Sequence, residues 1–288
     1  MQRRVNAPGP LLDFLAEFHP DSSRSTLRQM LRDARVRVNG EVEKRGARSL
    51  EEGDFVDVGP KALGKFLPPE AQVLHEDSDL IVVVKASGLL TANRDREDEP
   101  TLQRLLNAYL KETSGGRVWL VQRLDREASG VLVLAKNEET GRALKDLFAS
   151  HDIERRYVAI VEGRPVPSEG TFRSILRENE RTLHVSSVRN PLEGKEAITH
   201  YRTLKSGSKY SMIEVTLETG RKHQIRVHFA ESGHPIIGDK RYGAKTNPIG
   251  RLALHAFILG FVHPSTGRKL RFDVPVPGSF RSLNLSPE

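Results

Sequence analysis

Residues 118–136 read VWLVQRLDREASGVLVLAK. Two apolar runs, Val118–Val121 and Val131–Leu134, frame a polar island from Gln122 to Gly130. Short apolar runs bounded by turn signals predict buried strands. A loop clamped between rigid strands is where chemistry concentrates. Asp125 stands between Arg123 and Arg126. A cation within reach favours the charged form of a carboxylate, which suits a nucleophile better than a general acid. A salt-bridged loop aspartate accounts for the same residues, because structural ion pairs are common. The island alone does not separate the two readings.

Composition narrows the classes. A chain of 288 residues holds one large domain or a small and a medium one. Hydrophobic residues at 37% and charged residues at 29% describe a folded chain rather than a disordered one. The net charge of +7 favours a polyanionic partner. Cysteine is absent, which excludes disulfides and thiolate metal sites. The first residues, MQRRVNAPGPLLDFLAEF, lack an apolar core of signal-peptide length, and no run approaches the roughly 18 apolar residues of a membrane span. The expectation is a cytoplasmic protein with no membrane partner.

The first sixty residues form a unit of their own. Apolar side chains at 11, 12, 14, 15 and 18 have helical spacing. His19-Pro20-Asp21-Ser22-Ser23 breaks that helix, and a second follows from Arg24 to Ala34 with Leu27, Met30 and Leu31 inward. Arg24, Arg28 and Arg32 recur every four residues and so share one face; Arg35 and Arg37 continue it. Val36–Val42 alternates around Asn39-Gly40, a strong hairpin signal. Residues 24–48 hold eight Lys/Arg against three Asp/Glu, whereas residues 1–60 balance at ten each. Positive charge is thus concentrated on one helix and one hairpin, the footprint a phosphate backbone requires. A solvated helix face is the plainer account of such a run. Residues 60–72, PKALGKFLPPEAQ, read as a linker.

Beyond the linker, Val73–Val84 reads as strand, acidic turn, strand, and Thr101 caps a helix with Leu102, Leu105, Leu106 and Leu110 on its face. Glu138–Ser150 is an amphipathic helix, and Tyr157 begins a strand behind Arg155 and Arg156. Ala197–Leu204 and Ser211–Glu218 are further strands, and Ile225, Val227 and Phe229 begin a helix. His184 and His200 are read as structural or exposed. Three other motifs lead nowhere. Gly233–Lys240 has Asp239 where a phosphate loop needs lysine. No H-E-x-x-H occurs, and His223 and His228 are five apart, off a common helical face, so no metal is expected. Ser129 lies in E-A-S-G-V, which is no hydrolase elbow.

QRLDREASG resembles the HRLD-x-x-T-S-G signature of the RluA family of pseudouridine synthases, with Gln122 for histidine and Ala128 for threonine. Lys85–Leu90 resembles that family's N-K-P-x-G-L-L element with Ala86 for proline, Asn93 stands where histidine is common, and Arg155–Gly163 resembles its K/R-x-Y-x-A-x-V-x-G element. Residues 219–243, TGRKHQIRVHFAESGHPIIGDKRYG, resemble the second family hallmark almost throughout. The segment 8–59 resembles the S4 RNA-binding domain, named for a ribosomal small-subunit protein.

The resemblance implies an α+β protein. A small helix-helix-hairpin RNA-binding domain (8–59) and a linker (60–72) precede a pseudouridine synthase domain (73–280). The larger domain is built on a mixed, mainly antiparallel sheet flanked by helices. It further implies Asp125 as nucleophile, Arg226 as its partner and Tyr157 stacking on a flipped uracil. Arg123 fills the gap the base leaves, Arg221 and His223 order the turn or meet RNA phosphates, and Leu217 or Leu254 walls the pocket. Arg24, Arg28, Arg32, Arg35, Arg37 and Asn39 are the RNA-binding set of the first domain. No cofactor or metal is implied, and a monomer is expected. Ribosomal RNA of the large subunit is the favoured partner. A transfer-RNA substrate and a non-catalytic RNA-binding ribosome assembly factor stand as alternatives. Removing the charges at Arg24, Arg28 and Arg32 together is expected to weaken RNA binding and flatten its salt dependence. Filter binding over a salt series checks this, and an unchanged slope removes the first domain as an RNA dock.

Overall fold

The computed structural model describes residues 2–20, 22–32, 35–39, 41–58, 71–93, 99–283 and 285–287. The chain divides into two compact units, residues 1–66 and 67–288. The expected linker lies outside the described residues except for Ala71 and Gln72, which already belong to a strand.

The first unit runs β1 (Gln2–Arg4), β2 (Gly9–Pro10), α1 (Leu11–Phe18), α2 (Arg24–Arg32), β3 (Val36–Val38), β4 (Glu41–Val42), β5 (Ser49–Leu50) and β6 (Phe55–Val58). Leu11 and Leu15 of α1, Leu27, Met30 and Leu31 of α2, and Val36, Val38 and Val56 of the strands close one core. These are the positions that helical and alternating spacing select. The sheet order is β1-β6-β3-β4, with β3 and β4 paired as the hairpin. Asn39 turns that hairpin at φ 53°. Its Oδ1 accepts the Phe55 N–H at 2.9 Å and its Nδ2 donates to Asp54 at 2.8 Å. Asn39 is therefore engaged in holding the turn against the neighbouring strand. Arg24 is exposed and pairs with Asp13 at 3.0 Å, Arg28 is exposed, and Arg35 is half-buried. The side chains of Arg32 and Arg37 lie outside the described part.

The second unit opens with β7 (Ala71–Glu76), β8 (Leu80–Lys85), α3 (Leu102–Thr113), β9 (Trp119–Leu120), β10 (Ser129–Ala135) and α4 (Glu138–Ala149). It continues through β11 (Glu154–Glu162), β12 (Glu169–Glu178), β13 (Val185–Val188), β14 (Lys195–Ser206), β15 (Tyr210–Leu217) and α5 (Gln224–Glu231). It ends with β16 (Leu254–Val262), β17 (Lys269–Asp273), α6 (Gly278–Arg281) and β18 (Ser286–Pro287). The sheet order is β13-β12-β14-β15-β11-β16-β10-β8-β7, with β17 on β16, β18 on β14 and β9 on β10. β18 and the fully buried Phe280 carry the fold past residue 280, because that ring packs under Arg251 and near His255.

One joint sets up the site. β10 and β16 run parallel, and their ladder is only Ser129↔His255 and Gly130↔Ala256. From Ile258 onward β16 pairs with β17 instead. β9 and β10 form a wide hairpin whose loop, residues 121–128, stands at this joint. Gly130 sits at φ 128°, and a Cβ there would lie 2.2 Å from the Ala256 carbonyl oxygen. Only glycine permits both that dihedral and that approach. Gly130→Ala is expected to cost about 3 kcal/mol or more from strain and overpacking together. Thermal unfolding measures it, and a midpoint within a degree or two of the parent's would refute the close approach.

Candidate active site

The loop that carries Asp125 is pinned on both flanks. Thr91 Oγ1 donates to the Leu124 carbonyl at 2.7 Å and accepts the Leu124 N–H at 3.2 Å. On the far side Ser129 Oγ accepts from Arg251 Nη2 and bonds His255 Nδ1, each at 2.7 Å. Beneath the loop lies Lys85, with no exposed surface. Its Nζ donates to the carbonyls of Ala86 (2.9 Å), Leu89 (2.7 Å), Arg126 (3.2 Å) and Ala128 (2.7 Å). A buried ammonium is tolerated only when its donors are satisfied, and here they tie the loop to the end of β8. Burial pushes this amine down to about 8, with Asp125 opposing.

Held in this way, Asp125 meets Arg226 of α5, whose Nη1 donates to Asp125 Oδ2 at 3.1 Å. Arg226 is itself buried and bidentate to Asp239, at 2.7 and 2.8 Å. Its face packs on the Tyr242 ring, 5.1 Å from the centroid. Burial works against this guanidinium's charge, but Asp239 and Asp125 outweigh it and raise its pKa above the ordinary value. α5 is aimed by the turn before it. The buried Gln224 accepts from Thr219 Oγ1 at 2.8 Å and from the Arg221 N–H at 2.9 Å, and donates to the Ile198 carbonyl at 2.9 Å.

The cleft around Asp125 has a volume of about 1830 Å³. Among the described residues ten lysines and arginines line it against four carboxylates. That imbalance raises the local concentration of a polyanion and suits a phosphate backbone. Tyr157 lines it from β11, where the register with β16 shifts between Arg156 and Tyr157; bulges of this kind re-aim side chains. Burial raises the Tyr157 phenol above its ordinary pKa. Leu217 and Leu254 line the same cleft. Arg155 follows the same face of β11, only 7% exposed. It donates to the Leu217 and Glu218 carbonyls at 3.3 and 2.7 Å, and a Cβ on Gly220 would crowd its Nη1 at 2.9 Å.

The expected residues of this domain thus converge: Asp125, Tyr157, Arg226, Arg123, Arg221 and His223 all line one cleft. Arg123 is exposed at its wall and makes no ion pair among the described residues. Arg221 also donates Nε to the Glu196 carbonyl at 2.9 Å. Asp239, Tyr242, Lys85 and Thr91 are the residues that sequence reasoning missed. Asp239 and Tyr242 lie inside the 219–243 hallmark and Lys85 heads 85–90, so their positions were visible but their contacts were not. Of the two departures in the signature, Ala128 is buried and contributes its carbonyl to Lys85, while Gln122 lines the cleft with its Nε2 buried and without a hydrogen-bond partner among the described residues.

Asp77, Asp79 and His263 cluster elsewhere in this unit and have ligand-like spacing. His263 Nδ1, however, accepts the backbone N–H groups of Ser265 and Thr266 at 3.1 and 3.3 Å. The ring proton is therefore on Nε2, which points at Asp77 Oδ2, 3.1 Å away. A nitrogen carrying that proton is a donor, not a metal ligand. His75 donates to the same oxygen at 2.8 Å, so the cluster is a hydrogen-bonded clasp.

A basic cleft with an aspartate on a rigid loop and a tyrosine beside it suits an enzyme whose substrate is a polyanion. The sequence matches the RNA pseudouridylate synthase family over residues 79–231 and the S4 domain over residues 9–56. An RNA pseudouridine synthase of Aquifex aeolicus is 35% identical, over 94% of this chain and 91% of that one. The ribosomal large subunit pseudouridine synthase D of Escherichia coli K12 is 31% identical, over 94% and 89%. The solved structure of human RNA pseudouridylate synthase domain containing 4 superposes with a TM-score of 0.63 at 26% identity, over 75% of this chain and 95% of that one. The chain belongs to the RNA pseudouridylate synthase family, in its RluA branch, and carries an N-terminal S4 domain. It is an isomerase that converts uridine in RNA to pseudouridine.

Lys85→Met removes the ammonium that the carbonyls of Ala86, Leu89 and Ala128 share, leaving, among the described residues, only the Arg126 carbonyl with another donor, the Gly88 N–H, and is expected to destabilise the fold by at least about 2 kcal/mol. The folded chain releases the Lys85 proton near 8, the unfolded chain near 10.5. Between those values the unfolded state binds more protons, so the parent's advantage over the variant rises with pH. Denaturant unfolding across that window checks both, and equal stabilities throughout would remove the cradle.

Proposed function

We propose that Asp125 is the nucleophile and that large-subunit ribosomal RNA is the substrate. The observation that supports the first part most directly is the Arg226–Asp125 contact at the floor of a basic cleft. Pseudouridylation breaks the C1′–N1 bond and forms C1′–C5; N1 gains a proton and C5 loses one. Nothing is oxidised and no group is lost, so no cofactor or metal is called upon. A carboxylate that adds to the sugar or to the base ring and later departs splits this exchange into two easier steps. Arg226 orients that carboxylate through one N–H of Nη1 while Asp239 holds Nε–H and one N–H of Nη2. Tyr157 offers an aromatic face to the extruded uracil, with Leu217 and Leu254 as apolar walls. Arg123 enters the gap left in the RNA.

The substrate assignment is supported by the S4 domain together with relatives named for the ribosomal large subunit. The enzyme works as a monomer in the cytoplasm. Carbodiimide-based primer extension on total RNA, from cells with and without the gene, tests the whole reading. A stop in large-subunit RNA is expected to vanish with the gene. It should return with the wild type but not with Asp125→Asn, whose turnover falls on the order of 10³-fold or more while RNA binding persists. Activity retained by Asp125→Asn would refute the nucleophile; a lost stop in transfer RNA alone would move the substrate there.

A further inference from the structure

His223 stands directly before α5 in the left-handed region, at φ 55° and ψ 15°. A non-glycine residue keeps that conformation only where its surroundings impose it. Here the backbone turns the ring inward, and the side chain is 9% exposed. Nδ1 lies 2.8 Å from the Tyr242 hydroxyl. That hydroxyl already accepts the Val185 backbone N–H at 3.2 Å. Burial raises the Tyr242 pKa, so the phenol keeps its one proton. Among the described residues the only acceptor within reach of that proton is His223 Nδ1. Nδ1 therefore accepts, and the imidazole proton is on Nε2. Nε2 faces Asp125 Oδ1 at 3.8 Å, while Arg226 occupies the other oxygen, Oδ2.

We propose that Tyr242 locks the tautomer of His223 so that its Nε2–H is presented to Asp125, which makes His223 a positioning residue for the nucleophile. This rests on the reading of Asp125 given above. The gap of 3.8 Å exceeds a hydrogen bond, so in this geometry the Nε2–H dipole acts on Oδ1 through space. The two oxygens are then held from two sides, one by a cation and one by a neutral donor, and the plane of the carboxylate is set.

The surroundings favour a neutral ring. Burial, then Arg226, Arg241 and Lys222, push the imidazole down to about 3, with Asp239 opposing. Among the described residues the remaining groups that face it are Asp125 and the Tyr242 ring, itself in tilted contact with His184. An uncharged donor adds direction without placing a second full positive charge beside Arg226. The opposite tautomer would turn a nitrogen lone pair toward a carboxylate and repel it.

Histidine-selective ¹⁵N spectra of the full chain read the tautomer directly. From about pH 6 to about pH 8 the His223 resonances are expected to show a bare Nδ1 and a protonated Nε2, and Tyr242→Phe should convert them to a mixture. In turnover assays His223→Leu is expected to lose roughly 10- to 100-fold in kcat with little change in KM. His223→Gln, whose amide N–H takes the place of Nε2–H, should recover most of that loss. Unfolding midpoints near the parent's establish that each variant is folded. A protonated Nδ1 in the parent overturns the lock. So does a folded His223→Leu with parental kcat, or a folded His223→Gln no better than His223→Leu. The spectra do not depend on what Asp125 does, and only retained activity in Asp125→Asn removes the nucleophile reading, so the two failures are distinguishable.

Discussion

One buried guanidinium holds the catalytic unit's cleft together. Arg226 reaches Asp239 with two N–H groups and Asp125 with a third. Arg226 and its two partners come from three stretches of the chain: α5, the segment just after it, and a loop 101 residues earlier. A buried charge is stable only when paired and hydrogen-bonded, so each stretch is constrained by the needs of the other two. Asp239 does more than neutralise. Its bidentate grip fixes the plane of the guanidinium, and that plane decides where the remaining N–H points.

The same logic repeats beneath the loop. Lys85 is surrounded by main-chain carbonyls rather than by carboxylates, so it binds a conformation of the backbone and not a particular side chain. This explains how the signature loop tolerates Ala128 where the family has threonine: the carbonyl, not the side chain, is what Lys85 uses. Gly130 imposes the opposite kind of constraint, since the Ala256 backbone leaves no room for a Cβ. Polar satisfaction below and steric exclusion behind leave the Asp125 loop little freedom, which is how preorganised sites hold their geometry.

Burial also sorts the charges of the cleft by task. Arg226 in the cleft is enclosed and already paired, and Lys85 beneath it is enclosed and hydrogen-bonded to carbonyls. Arg123 and Arg221 are exposed in the same cleft, where a polyanion arrives. Exposed cations supply affinity that depends on salt, whereas enclosed ones supply geometry.

Much was legible in the sequence itself. Helical spacing, alternation and short apolar runs located α1, α2, β3, β8, β10, α4 and β11 within a residue or two, because the apolar pattern is a local consequence of which face meets the core. The motif residues Asp125, Tyr157 and Arg226 were nameable for the same reason: each sits in a short segment whose neighbours are fixed in order. What the chain alone did not disclose were partnerships across long separations. Asp239 resembled a failed phosphate loop, Lys85 an ordinary strand end, and His223 a turn residue. Asn39 was legible as a hairpin residue, but not its amide's hold on Asp54 and Phe55. Sequence periodicity reports burial, which is a property of one residue and its face. Hydrogen-bond satisfaction and backbone clearance are properties of pairs, and only the folded chain brings the members of each pair together.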